Sequence, residues 1–376
     1  MRTALAGLLL SLWALAWLPA SLHAATPIGA IYGAQMACDP ALTGCLAAPL
    51  RVTVLCTVTC PFRSSFSYTD STRFWGAGTS GTGQCVTSIN SGLTWGACAA
   101  QAFTTGSDEN YAGASDGSVI AASTTTGPAT CTIRRSINNA VSWSTVFTLI
   151  ASCQSFGLEG QTLYCLGDGR CEWITAAGGV SKVFRSTNNG QTWALGESLA
   201  GTVCLGSGSA WDGAAGSFPS NTPAGCGGSG RMDVAAGDVW TQSAIWAGTQ
   251  GDCWGAVVYN GVGRAICQAA GAAPNALYSV RDSTGGLIAS LTLPGALTTS
   301  IDAGGPSIAP FTNTLYILAT LAAGNTGVFI SRDNLVTFNL LTTLTTTTMR
   351  GGNLFLNGGC IFITYGGPSR FAKICP

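Results

Sequence analysis

An eight-residue segment recurs along this chain at a spacing near fifty residues, and that spacing restricts the fold more than any other feature. Ser88–Trp95 reads SINSGLTW, Ser136–Trp143 SINNAVSW, Ser186–Trp193 STNNGQTW and Ser331–Phe338 SRDNLVTF. Their third positions, Asn90, Asn138, Asn188 and Asp333, are separated by 48, 50 and 145 residues, so two further units fit in the last interval. One degenerate copy is visible there. ALYSVRDS at Ala276–Ser283 aligns with GVFISRDN at Gly327–Asn334 and places Asp282 over Asp333. The other is expected near Arg231–Asp238. A unit of this length does not bury its apolar face alone, so it must stack on its neighbours.

The chemistry of the segment suits a tight bend. Its third residue is a short polar side chain that can hydrogen-bond the backbone of its own turn. Asn does this nearly as well as Asp and accepts a left-handed conformation. Gly serves where φ is positive. The closing aromatic, Trp95, Trp143, Trp193 or Phe338, starts the next strand and wedges its ring beneath the bend. The segment therefore reads as a hairpin fastener.

Strand patterns repeat around it. Residues 162–199 give TLYCLGD, RCEWITAAG, SKVFRSTN and TWALGESL, four short strands separated by Gly, Asp and Asn turns. Residues 253–293 give CWGAVVYN, GRAICQAAG, NALYSVRD and IASLTL. Residues 351–376 give only three strands, GNLFLNG, CIFITYG and RFAKIC, while IGAIYG at Ile28–Gly33 has no unit of its own. Joining the two completes a ring. The expected fold is all-β: a seven-bladed β-propeller closed by the N-terminal strand, spanning 26–376 as one domain, with protected sheet edges. A six-bladed ring, a β-sandwich or a parallel β-solenoid are the alternatives.

The repeated segment resembles the Asp-box, or BNR, motif S-x-D-x-G-x-T-W of sialidases, two-propeller xyloglucanases, sortilin-type receptors and photosystem assembly factors. The best copy is Ser186-Thr187-Asn188-Asn189-Gly190-Gln191-Thr192-Trp193. Three copies carry Asn for the usual Asp, and Ala140 and Leu335 replace the Gly in two. The resemblance implies a propeller in which each box joins the third and fourth strands of a blade, on the face away from the active site. It thus implies structural roles for Asn90, Trp95, Asn138, Trp143, Asn188, Trp193, Asp333 and Phe338.

Residues 1–25 carry Arg2, an apolar run from Ala4 to Leu18 and a small-residue end, the pattern of a secretory signal peptide. That makes the protein secreted, extracellular or periplasmic, without stable membrane insertion, since the run is shorter than the ~20 residues of a spanning helix. All 16 Cys follow the leader, an even count that implies disulfides in an exported chain. Cys85–Cys98, Cys165–Cys171, Cys253–Cys267 and Cys360–Cys375 straddle turns, where opposed β-carbons come close enough to bridge. Cys204–Cys226 and Cys131–Cys153 follow in sequence order. Cys38, Cys45, Cys56 and Cys60 stay open: either a turn lets Cys56 and Cys60 pair, or they pair with Cys38 and Cys45.

Charge narrows the function classes. Lys+Arg are 16 against Asp+Glu 16, and charged residues make up only 9%. A nucleic-acid binder needs clustered Lys and Arg, so none is expected. The single His, His23, lies in the leader, which excludes a His-built metal centre. No metal or cofactor is expected. So weak a surface charge favours self-association.

Ligand candidates sit in loops. Ala200–Gly230 is the longest stretch without strand pattern, and it holds Trp211-Asp212, an aromatic and a carboxylate suited to a sugar. Trp211 packing the loop onto a neighbouring blade is the structural alternative. Arg51, Arg231 and Arg350 each precede an expected innermost strand, which would set them in a carboxylate-binding ring of the kind sialidases use. The sialidase Arg-Ile-Pro signature is absent. Asp108-Glu109 is an acidic pair in a loop on the candidate face. These features give a non-catalytic binding or scaffold protein for a glycan or protein partner, with a subunit of an extracellular assembly as one form of that role. A glycoside hydrolase, sialidase-like or endoglucanase-like, is the alternative.

Overall fold

The computed structural model describes thirty strands, the turns at 69–73 (except 71), 89–95, 98–103, 114–118, 137–143, 166–170, 187–193 and 237–238, and residues 213, 325 and 337. All of them fall in the unit from Leu46 to Pro376. The leader, Ile28–Gly33, the fourth box (with Asp333 and Phe338) apart from Ser331 and Thr337, and Asp282, Arg350, Asp212, Cys38, Cys45, Cys60, Cys204 and Cys226 lie outside the described residues.

The strands form seven antiparallel sheets, each met in chain order. The first contains Phe62–Tyr68, Phe74–Gly78, Cys85–Ser88 and Gly96–Ala97. The second contains Asp108–Gly113, Val119–Thr124, Thr130–Ser136 and Ser144–Ile150. In the third, two short pieces, Cys153–Gln154 and Leu163–Cys165, share one edge beside Cys171–Ala177, Val180–Ser186 and Ala194–Ala200. The fourth repeats that pattern, with Thr202–Val203 and Ala210–Trp211 beside Ala215–Asn221, Gly230–Ala236 and Val239–Ile245. The fifth runs Gln250–Tyr259, Val262–Ala269, Leu277–Arg281, Leu287–Thr292, and the sixth Ile308–Phe311, Thr314–Thr320, Thr326–Ser331, Asn339–Leu344. The seventh takes Leu354–Asn357, Cys360–Tyr365 and Arg370–Cys375, and its fourth strand is Arg51–Cys56 from the other end of the chain.

That last pairing sets Arg51 opposite Cys375 and Val54 opposite Ala372. An N-terminal strand was expected here, but it begins well after Ile28–Gly33. RVTVLC alternates more cleanly than IGAIYG and lacks its glycines, which weaken a strand. A second correction concerns Ala200–Gly230, expected as a loop. It supplies the edge pieces Thr202–Val203 and Ala210–Trp211 and the strand Ala215–Asn221 of the fourth sheet. The segment AGSFPSN hides this behind Gly, Ser and a Pro219 that pairs opposite Met232. A third concerns the copy expected near Arg231–Asp238, which is a short hairpin turning at Gly237-Asp238.

Apolar layers between consecutive sheets form the core. Period-two alternation sends one face of each strand to each neighbour. In the second strand of the third sheet, Trp173 packs with Ala112, Ile120 and Ile133 of the second sheet. The next residue, Ile174, packs with Trp211 and Trp240 of the fourth. Trp75 of the first sheet packs with Tyr111, Val119 and Ala121 of the second. Its neighbour Phe74 packs with Phe362 and Phe371 of the seventh, 4.9 Å between the Phe74 and Phe362 ring centroids.

Disulfides fasten single sheets. Cys85–Cys98, Cys165–Cys171 and Cys360–Cys375 are formed as expected. Cys131 is also disulfide-bonded. Cys253 stands directly opposite Cys267 in its hairpin, the register the expected bridge requires.

Candidate functional site

Three boxes adopt one geometry. The serine hydroxyl of Ser88, Ser136 and Ser186 donates to the Oδ1 of Asn90, Asn138 and Asn188 at 3.0, 3.0 and 2.9 Å. The serine Oγ in turn accepts the backbone N–H of Gly92, Ala140 and Gly190, each at 2.9 Å. Asn Oδ1 accepts the N–H of Thr94, Ser142 and Thr192 at 2.9, 2.9 and 3.0 Å. Asn Nδ2 donates to the hydroxyl of those same residues. The left-handed residues are the fourth and fifth rather than the third: Ser91 and Gly92, Asn139 and Ala140, Asn189 and Gly190. The indoles of Trp95 and Trp193 donate to the carbonyls of Gly92 and Gly190, both at 3.1 Å. Trp143 differs and donates to Ala100 O at 3.0 Å, while Ala100 N–H donates to Ala140 O at 2.7 Å.

A second repeat accompanies the boxes at the same end of the sheets. An Asp stands between the first and second strands of the first three sheets: Asp70, Asp116 and Asp168, 46 and 52 residues apart. Asp70 accepts the N–H of Thr72 and Arg73, Asp116 that of Ser118, and Asp168 that of Arg170. Burial acts to raise the Asp116 carboxyl, but hydrogen bonds from Ser118 and the nearby Arg135 outweigh it and hold it below its usual range. Asp70 and Asp168 are lowered in the same way by their turns, with Arg73 and Arg170 assisting.

Arginines at this end tie each of the first three sheets to the next. Arg73 donates to Asn139 Oδ1 in the second box. Arg135 donates to Asn189 O at 2.9 Å in the third. Arg170 reaches the fourth sheet, donating to Gly213 O at 3.0 Å and pairing with Asp238 at 2.6 Å.

Between the third and fourth sheets lies a buried ionic group that reading the sequence missed. Glu172 is 1% exposed. Its Oε1 accepts Arg185 Nε at 2.7 Å, and its Oε2 accepts the Trp240 indole N–H at 2.9 Å from the fourth sheet. Arg185 turns its other nitrogens to Glu197, 2.9 Å from Nη1 to Oε1. Burial pushes the Glu172 carboxyl up to about 7, aided by Asp238 and opposed by Arg185 and Trp240. A signal for it exists. Aligned on the box serines through the strand register, Glu172 occupies the position of Trp75 and Ile120 in the two preceding sheets. A carboxylate in that apolar column stands out once the repeat is aligned.

Those of the expected ligand residues that are described take the following places in the sheets. Arg51 begins the fourth strand of the seventh sheet and Arg231 lies in the third strand of the fourth, so neither precedes a first strand. The seventh sheet borrows its last strand from the chain start, which displaces Arg51 from the role expected of it. Trp211 is 6% exposed, its indole donating to Gly237 O at 3.1 Å with the Arg170 guanidinium 5.6 Å from the ring centroid. It packs against its neighbours, and its ring faces are occupied. Asp108-Glu109 opens the first strand of the second sheet instead of lying in a loop. Antiparallel register places Asp108 opposite Thr124, at the end away from the Asp116 turn and the box. Among the described residues no group of three His, Cys, Asp or Glu could hold a metal ion, and no helix is long and apolar enough to cross a membrane.

No known family's sequence profile and no curated protein matches the chain. Solved structures do. YCF48 bound to D1 peptide superposes with a TM-score of 0.56 at 14% identity, covering 88% of this chain and 97% of that one. YCF48 from Cyanidioschyzon merolae gives 0.52 at 14% identity, covering 86% and 98%. A chain of the mitotic checkpoint complex gives 0.51 at 10% identity, covering 87% and 95%. These are propeller proteins, and at such low identity the likeness speaks for the fold alone.

Proposed function

We propose that this protein is a secreted, disulfide-stapled propeller of seven blades that acts by binding, and that it holds a protein segment at the sheet ends opposite the boxes. The seven sheets, and the pairing of Arg51–Cys56 with Arg370–Cys375, support a closed ring. The shared hydrogen-bond pattern of the three boxes supports reading them as Asp-boxes. The leader and the cysteines support export.

One observation carries the binding reading. At the box end, Asp70, Asp116 and Asp168 are committed to their own turns, and Arg73, Arg135 and Arg170 to the next sheet. Side chains committed in this way stitch sheets together, which leaves the opposite end for a ligand. Asp108-Glu109 starts an edge strand there. A protein segment is favoured over a glycan because the proposed sugar platform, Trp211, is buried, and because a structural neighbour is a propeller bound to a peptide. Weak net charge, with Ile89, Leu93, Ile137 and Val141 each at least 60% exposed on adjacent boxes, supports self-association as well.

The test is a peptide array and a glycan array probed with the purified protein, run beside chromogenic sialoside and glucan substrates. Capture of peptides, weakened tenfold or more by Asp108→Asn with Glu109→Gln, is expected. Glycan capture alone would replace the partner class, and turnover of a glycoside would overturn the non-catalytic reading.

A further inference from the structure

We propose that Glu172 is a proton-operated latch across the seam between the third and fourth sheets, holding Trp240 when ionised and releasing it when protonated. The corresponding seams between the first and second sheets, and between the second and third, carry Trp75 and Ile120 at this position and are apolar. Only here, among these three aligned positions, does a titratable group bridge two sheets.

The geometry gives the latch its direction. Both groups facing the carboxylate are donors without an acceptor site: the Arg185 guanidinium at Oε1 and the Trp240 indole N–H at Oε2. A proton on Glu172 therefore has no acceptor among its present partners and must displace one. Arg185 carries a permanent charge and is fixed by Glu197, so Oε1 keeps it. The proton goes to Oε2, opposing the indole N–H, and the bond across the seam is the one lost. The facing charged groups are Arg185 and, behind it, Glu197 from the third sheet. From the fourth sheet comes Asp238, which is paired with Arg170 beside Asp168. Asp238 adds negative charge near Glu172 and so favours the proton. A carboxyl pushed up to about 7 places the change in an accessible pH range.

The experiment is an NMR titration of the indole N–H resonances of the mature protein from pH 5.5 to 8.5. The Trp240 resonance is identified by its loss in Trp240→Phe. The expected result is an upfield shift of that resonance as pH falls, with a midpoint within about one unit of neutrality. In Glu172→Gln the resonance stays at its low-pH position, and in Glu197→Gln it still titrates. A Trp240 resonance that does not move in the wild-type protein overturns the latch, as does a titration that survives Glu172→Gln. Should Glu172→Gln fail to fold, amide exchange of Val239–Ile245 in the wild type decides the matter. After correction for intrinsic rates and taken relative to Val119–Thr124, which reports global unfolding, protection at least threefold lower at pH 6 than at pH 8 supports release, and an equal ratio overturns it.

Discussion

Gly92 lies so close to the ring of Phe371 that a β-carbon on it would fall 2.2 Å from Phe371 Cε1. Gly92 is the fifth residue of the first box, and Phe371 belongs to the last strand before the C-terminus. Gly190 in the third box repeats the relationship, its missing β-carbon 2.3 Å from Ile120 Cδ1 in the second sheet. In these two boxes the fifth-position glycine therefore has a second role: beyond closing its own hairpin, it lets that hairpin approach a neighbouring sheet.

Gly92→Ala is expected to destabilise the protein by roughly 2–5 kcal/mol. A left-handed non-glycine residue costs about 1–2 kcal/mol and overpacking a core about 1–3. Phe371 is fully buried, so its ring has nowhere to retreat. Gly117→Ala is the control. It has a similar φ of 81° but open space around the missing β-carbon, so only the backbone cost of about 1–2 kcal/mol applies. Urea midpoints of the two variants should fall in that order, and equal midpoints would reject the close-approach argument.

Asn188→Asp should be nearly neutral, within about 0.5 kcal/mol, whereas Asn188→Ala should cost roughly 1–3 kcal/mol. The Asn188 Oδ1 accepts from the Ser186 hydroxyl and the Thr192 N–H, and Asp supplies the same oxygen. The Nδ2 donates to the Thr192 hydroxyl at 2.9 Å. A hydroxyl can rotate to donate instead, so a second carboxylate oxygen fits. Thermal melts of the two variants check this.

Much of this architecture was legible in the residues. The box spacing and the four-strand pattern of residues 162–199 reappear as Leu163–Cys165, Cys171–Ala177, Val180–Ser186 and Ala194–Ala200. The fourth sheet was hidden because AGSFPSN has too few apolar residues to alternate. The strand beside Arg370–Cys375 is Arg51–Cys56, not Ile28–Gly33, since counting strands fixes how many a sheet needs and not which stretch supplies one. The site was much less legible. Arg51 and Arg231 are defined by their rank within a sheet, and that rank depends on the borrowed strand and the hidden sheet. Glu172 became recognisable only by lining up strand register across sheets, a relation between residues far apart in the chain.

Non-reducing peptide mapping should recover Cys85–Cys98, Cys165–Cys171, Cys360–Cys375 and, from its register, Cys253–Cys267. Replacing Cys360 and Cys375 together by Ala should lower stability by about 2–4 kcal/mol, because the bridge constrains the unfolded chain. It joins the second and third strands of the seventh sheet, beside the strand borrowed from the chain start. A bridge between Cys253 and any residue other than Cys267 would contradict the register.

Stability should pass through a maximum at mildly acidic pH, because two kinds of carboxyl act with opposite sign. Asp70, Asp116 and Asp168 are held below their unfolded values, so their contribution is present above the ordinary aspartate range and is lost as pH falls through the folded values. Glu172 is raised from 4.5 to about 7. The folded state therefore binds its proton more readily than the unfolded one. Its contribution is complete below the unfolded value and declines as pH rises towards 7, by about 1.4 kcal/mol for each unit of separation. Urea midpoints measured from pH 3 to 8.5 should rise and then fall. Glu172→Gln should flatten the neutral side and leave the acid limb intact, while Asp116→Asn should soften the acid limb and leave the neutral side unchanged. A neutral-side decline that persists in Glu172→Gln would assign it to another group and remove Glu172 from the balance.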